Sequence, residues 1–124
     1  MKNEEGFMTS NCVFCGILSG SISSDILYRD DYCFAIRDIN PKAPVHILVI
    51  PNNHFTFLND LNPTEHPMIG AMFQCAKKLA EAQGLEDTGY RLVVNQGSDS
   101  GQMVDHLHLH LLGGGNLGAM NTSD

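Results

Sequence analysis

Half of the six histidines in this 124-residue chain fall within five positions, His106, His108 and His110, alternating with Leu107, Leu109 and Leu111. Strict period-two alternation marks a β-strand with one buried face. Asp105–Leu112 is therefore expected to be extended, with leucines on one side and imidazoles on the other. Side chains two apart on one face of a strand sit roughly 7 Å from each other, which suits three rings serving one small anionic group. Two chemistries use such a set. A His-x-His pair with a third histidine can hold a catalytic zinc with an open position. Alternatively, one ring attacks a phosphoryl group while its neighbours donate hydrogen bonds to the phosphoryl oxygens. The spacing leaves both open. The preceding stretch Asn95-Gln-Gly-Ser-Asp-Ser-Gly-Gln102 is rich in Gly, Ser and amide side chains. Such backbone can present N–H groups to an anion, which favours phosphate.

The elements around these rings are legible from patterning. Residues 1–10 are expected to be a flexible polar lead. Cys12-Val-Phe-Cys15 and Gly16–Gly20 then form a short helix or turn that buries Val13, Phe14 and Ile17. The Cys-x-x-Cys pair is half a zinc site, or simply two thiols in an apolar turn. Ile26–Asp30 and Tyr32–Asp38 read as a hairpin turning at Asp30-Asp31. Asn40-Pro41 and Ala43-Pro44 mark a loop, and Val45–Pro51 is apolar enough for a central strand. One long helix starts from a Thr64 or Asn62 cap, with Pro67 in its first turn. It buries Ile69, Met72, Phe73, Ala76, Leu79, Ala80 and Gln83, leaves Glu65 and His66 solvated, and stops at Gly84. Tyr90–Asn95 precedes the Gly/Ser-rich stretch as another strand. The fold class is α+β: an antiparallel sheet of about five strands, one long helix and a short N-terminal helix. A single domain spans 11–120, with a tail at 121–124.

Charge and composition narrow the partners. A formal net charge of -7 and a pI near 5.1 argue against a protein that coats nucleic acid, but not against one that binds a single nucleotide. Apolar runs such as Ile47–Ile50 are far too short to span a bilayer. Met1-Lys-Asn-Glu-Glu-Gly6 lacks the apolar core of a signal peptide. Four cysteines, with Cys33 and Cys75 isolated, do not resemble a disulfide framework, so a reduced, cytoplasmic protein is expected.

His106-Leu-His-Leu-His-Leu-Leu112 matches the His-φ-His-φ-His-φ-φ motif (φ is hydrophobic) of the histidine-triad (HIT) superfamily at every position. Arg37-Asp-Ile-Asn-Pro-Lys-Ala-Pro-Val-His46, Ile47-Leu-Val-Ile-Pro51, Tyr90-Arg-Leu-Val-Val-Asn95 and Gly101-Gln102 resemble its nucleotide-binding Hint branch, the purine nucleoside phosphoramidases. The resemblance covers about residues 11 to 120. It implies a HIT-like fold, a sheet extended across a homodimer by the long helix and Tyr90–Asn95, and a nucleotide of AMP or GMP type as substrate. His108 would attack the α-phosphorus and His110 would donate to a phosphoryl oxygen, with no cofactor needed for catalysis. His46 would stand behind the triad and hydrogen-bond His106, the two orienting the row of imidazoles unless zinc takes His106. Asp38 would bind the ribose hydroxyls, and Asn95 and the Gly101 backbone would hold the phosphate or the leaving group. Val13, Phe14, Ile17, Ile36, Ile39 and Leu48 would line the base pocket. Part of the superfamily joins the Cys-x-x-Cys pair to two histidines, which here are His54 and His106, giving a structural zinc set of Cys12, Cys15, His54 and His106.

The chain departs from the branch at three places. Met103 stands where many relatives have a polar residue that assists the leaving group, Asp105 occupies an often aromatic site, and the C-terminal stretch lacks tryptophan. Dinucleoside polyphosphate hydrolysis and a nucleotide-binding or protein-interaction module with little turnover are the competing readings. A zinc hydrolase with its metal on the triad is a third. Nucleotidyl transfer to sugar phosphate is disfavoured, because that branch replaces the third histidine by glutamine.

Overall fold

The computed structural model describes residues 11–120. The expected flexible lead at 1–10 and the tail at 121–124 lie outside the described residues. Helix α1 (Val13–Ser19) opens the described chain and ends at Gly20, whose φ of 88° closes the helix by donating its N–H to the Ile17 carbonyl. Strands β1 (Ile26–Arg29) and β2 (Cys33–Arg37) form the expected hairpin. Asp30 makes the turn: its Oδ1 accepts the backbone N–H groups of Tyr32 and Cys33 at 2.7 and 2.9 Å, and its Oδ2 accepts the Tyr28 hydroxyl at 2.8 Å. Strand β3 (Val45–Pro51) is followed by helix α2 (His66–Ala82), strand β4 (Tyr90–Val93) and strand β5 (Leu109–Gly113).

The five strands form one antiparallel sheet in the order β1-β2-β3-β5-β4. Val45–Pro51 is thus central, as its apolar run requires. The sheet has two differently used faces. Ala35, Ile47, Val49, Leu107, Leu109 and Leu111 pack against Met68, Met72, Cys75, Ala76, Leu79 and Ala80 of α2. Phe34, Ile36, Leu48 and Ile50 pack against Phe14 and Ile17 of α1. Antiparallel partners share a face. The pairing of Leu48 with His110 therefore carries the imidazole side of β5 to the α1 side of the sheet.

Three expectations need correction. The strand bearing the histidines starts at Leu109 instead of Asp105. The chain before it is held by other bonds, with the Leu107 N–H donated to the Phe55 carbonyl. Leu107 nevertheless joins Leu109 and Leu111 in the core, so the expected sidedness of the leucines survives in irregular backbone. Helix α2 is rotated relative to the expected stripe: Met68 and Cys75 are buried, while Phe73 is 49% exposed. The two stripes share Met72, Ala76, Leu79 and Ala80, and differ only in which flank turns to the sheet. Finally, Glu65 is not simply solvated. Its Oε1 accepts the Asn62 N–H at 2.9 Å while Asn62 Oδ1 accepts that of Thr64 at 3.2 Å, a capping pair on the short turn Pro63–Glu65 that leads into α2. Gly84, with φ of 72°, stands just past the helix end, as expected.

Candidate active site

The four histidines His46, His106, His108 and His110 are all buried, and backbone groups fix which nitrogen of each ring carries its proton. His108 Nδ1 lies 2.7 Å from the carbonyl oxygen of His106. A carbonyl only accepts, so Nδ1 is the protonated atom and Nε2 keeps its lone pair. At the other end of the row, the Lys42 backbone N–H donates to His46 Nδ1 at 3.0 Å. His46 must then carry its proton on Nε2, which lies 2.9 Å from His110 Nδ1 and 3.4 Å from Asp38 Oδ2. His110 Nδ1 accepts, which places the His110 proton on Nε2. Two backbone groups thus prepare a nucleophile on His108 and a donor on His110. The ring centroids of these two lie 4.8 Å apart, and Phe14 stands edge-on to His108 at 5.2 Å.

This geometry corrects the expected partner of His46 and divides the work of His106 between its carbonyl and its ring. His46 bonds the third histidine of the row, not the first, because it pairs across from Leu112, two residues from Leu48 and its partner His110. The His106 ring makes no hydrogen bond to His108. Only its carbonyl does, and both of its ring nitrogens are used elsewhere. His106 Nε2 donates to the Pro51 carbonyl at 3.0 Å, which turns Nδ1 toward Cys12 Sγ at 3.2 Å and Cys15 Sγ at 3.6 Å. His54 Nδ1 lies 3.4 Å from Cys15 Sγ. One ligand atom from each of Cys12, Cys15, His54 and His106 lies within 4.8 Å of all the others, a set that can hold a metal ion. Burial drives the His106 pKa down to about 4 from an ordinary 6.5, so this ring is neutral and available as a ligand. Burial and the neighbouring Cys12 push the Cys15 thiol up to about 12. Asp38, His46 and His110 form a second grouping of possible ligands, but hydrogen bonds already occupy His46 Nδ1 and link His46 to His110. Of the three triad rings, the first alone belongs to the cysteine cluster.

A cavity of about 300 Å³ opens beside His108 and His110. It is lined by Val13, Phe14, Ile17, Ile36, Ile39 and Leu48, all six expected there, and by Asp38. Ile39 sits at the mouth, 91% exposed. Arg37, Asn40 and Lys42 also line it; the Pro-rich loop gave no periodic signal for them. Asp38 Oδ1 accepts the Asn40 N–H at 2.8 Å, which fixes the carboxylate at the rim. Asn95 and Gly101 do not line this cavity. The Gly101 N–H is donated to Ser98, and the Gly97 and Gln102 N–H groups are likewise used within the loop, so the backbone expected to face an anion is largely committed. The bond from Lys42 N–H to His46 was missed for a related reason: a backbone donor four residues away carries no residue-type signature.

The HIT domain pattern matches residues 19–117, most of the described chain. The chain belongs to the HIT family. It is 44% identical over 113 residues to the purine nucleoside phosphoramidase of Escherichia coli, covering 91% of this chain and 95% of that one. An uncharacterised HIT-like protein of Synechocystis is 42% identical, with 86% and 93% covered. Among solved structures, the HIT family hydrolase of Legionella pneumophila superposes with a TM-score of 0.86 at 44% identity, covering 90% of this chain and all of that one. A HIT family hydrolase of Clostridium thermocellum gives 0.84 at 44% identity, with 88% and 95% covered. The HIT fold expected from the sequence is the fold observed. No helix among the described residues is long and apolar enough to cross a membrane.

Proposed function

We propose that this chain is a nucleotide hydrolase that cleaves the P–N bond of nucleoside 5′-monophosphoramidates, with adenosine as the nucleoside. The observation that carries the reading is the proton arrangement of the row: an unprotonated His108 Nε2 beside a protonated His110 Nε2, each set by a backbone group. The HIT-family phosphoramidase and hydrolases to which the chain is similar support it.

His108 Nε2 attacks the α-phosphorus, the P–N bond breaks and the amine departs with a proton. Water then attacks the nucleotidyl-histidine, releasing the nucleoside monophosphate and restoring the neutral ring. His110 Nε2–H donates to the phosphoryl oxygen, where charge grows in the transition state. Asp38 accepts from the ribose hydroxyls, and Phe14, Ile17, Ile36 and Leu48 hold the base. Asn95 stands outside the lining of the cavity, but its Nδ2 is a buried donor without a partner among the described residues, which supports its serving the phosphate or the leaving group once substrate is bound. Met103 is a poor hydrogen-bond partner and is 81% exposed, so water protonates the amine.

Cys12, Cys15, His54 and His106 would hold a structural zinc. A tetrahedral zinc with Zn–S of about 2.3 Å and Zn–N of about 2.0 Å sets its ligand atoms on the order of 3.3–3.8 Å apart, and the sulfur–nitrogen separations of 3.2, 3.4 and 3.6 Å lie in or next to that range. The ion would tie α1 to the segments after β3 and before β5. We also propose a homodimer joined through α2 and β4, supported by the open edge at β4 and by exposed Phe73 and Tyr90. A cytoplasmic location is supported by four free thiols. The test is AMP release from adenosine 5′-phosphoramidate by the full chain and by His108→Ala, each with and without chelator. Chelator-resistant turnover that disappears in the variant is expected; absence of turnover in the wild type would overturn the reading.

A further inference from the structure

A second cavity, of about 390 Å³, adjoins the nucleotide cavity. Val13, Met103 and Val104 line both, so they form a shared wall. Beyond that wall the lining changes character. The nucleotide cavity carries Arg37 and Lys42 as well as Asp38. The second is bounded by Asn11, Cys12, His54 and Asp105, with no lysine or arginine. The Asp105 side chain is exposed and has no ion-pair partner among the described residues, while its backbone carbonyl, bonded to the Thr56 hydroxyl at 3.2 Å, fixes its place.

We infer that the second cavity is a subsite for the group attached to the nucleotide phosphate, and that Asp105 selects groups bearing a positive charge. This rests on the proposed phosphoramidate reading and names the substrate class within it: amine leaving groups with a further ammonium or guanidinium on an apolar stem. Val13, Met103 and Val104 offer the stem an apolar path over the shared wall, and the Asp105 carboxylate receives the cation at its end. The same charge balance disfavours a second phosphate there, since an anionic arm meets a carboxylate and no compensating cation. It therefore separates amine-type substrates from dinucleoside polyphosphates.

The experiment measures Kd by calorimetry for two AMP phosphodiesters of equal size, one with an aminoalkyl arm and one with the isosteric neutral alkyl arm. Wild-type chain and Asp105→Asn are compared, at low and high salt. The cationic arm is expected to bind about two- to fivefold more tightly in the wild type, the range for a solvent-exposed ion pair. The preference should shrink with salt and fall to about one in Asp105→Asn. Equal Kd values in the wild type, or a preference that survives in Asp105→Asn, would overturn the inference. Adenosine 5′-phosphoramidate turnover is measured in parallel. Its absence alongside an intact Asp105-dependent preference would defeat the hydrolase reading while leaving the cation subsite standing.

Discussion

His46 Nε2 lies 2.9 Å from His110 Nδ1, and His46 Nδ1 accepts the Lys42 backbone N–H on the ring's other side. A loop amide before β3 thereby dictates the protonated atom of a ring on β5. With His46→Ala, His110 loses the donor to its Nδ1, and the proton can settle on the wrong nitrogen. The expected result is a fall in kcat on the order of 10- to 100-fold, less than removal of an oxyanion donor in full, with KM changed little. Steady-state kinetics at several pH values check it. An unchanged kcat would show that His110 needs no such partner.

Asp30 organises the β1–β2 turn through three accepted hydrogen bonds. Burial of the carboxyl opposes ionisation, but the bonds from Cys33, Tyr32 and Tyr28 outweigh it and lower the pKa below its ordinary 3.8. A depressed carboxylate contributes stability that is complete above the unfolded value and lost as pH falls through the folded one. Asp30→Ala should cost about 1–2 kcal/mol near neutral pH, with the difference from wild type narrowing below about pH 3.8. Denaturant unfolding across pH 2 to 7 would show it; a difference that does not depend on pH in that window would refute the assignment to the ionised form.

Metal binding by the cysteine cluster must displace thiol protons, and burial with the neighbouring Cys12 holds the Cys15 thiol at about 12. Zinc affinity should therefore rise with pH. Purified chain should carry one zinc, and Cys12→Ser with Cys15→Ser should lose it and lower Tm. Elemental analysis and thermal unfolding are the measurements. Zinc retained in the double variant but lost in His108→Ala would place the metal on the triad instead.

Much of this site is readable in the chain itself, for physical reasons. Alternation of histidine and leucine forces the leucines into one core even where regular pairing stops, so Leu107 is buried although β5 begins two residues later. The Asp30 turn and the Gly84 stop are local chemistry, which needs no tertiary information. What escaped depends on distant partners. Whether α2 presents Phe73 or Cys75 to the sheet is decided by packing, since both lie beside the shared residues Met72 and Ala76. The partner of His46 follows from the β3–β5 register, which alternation within one strand does not specify. The Gly97–Gln102 stretch has the composition of an anion loop, yet the N–H groups of Gly97, Ser100, Gly101 and Gln102 are spent on its own carbonyls and on the Gln102 side chain.

The central claim is that His108 Nε2 forms a covalent bond to phosphorus, since its Nδ1–H is committed to the His106 carbonyl at 2.7 Å. The most direct measurement is a rapid alkaline quench of the full chain mixed with adenosine 5′-phosphoramidate, followed by peptide mass spectrometry. The account predicts a transient adenylyl adduct on His108, absent from His108→Ala. Turnover at the wild-type rate in His108→Ala, or an adduct on another residue, would contradict it.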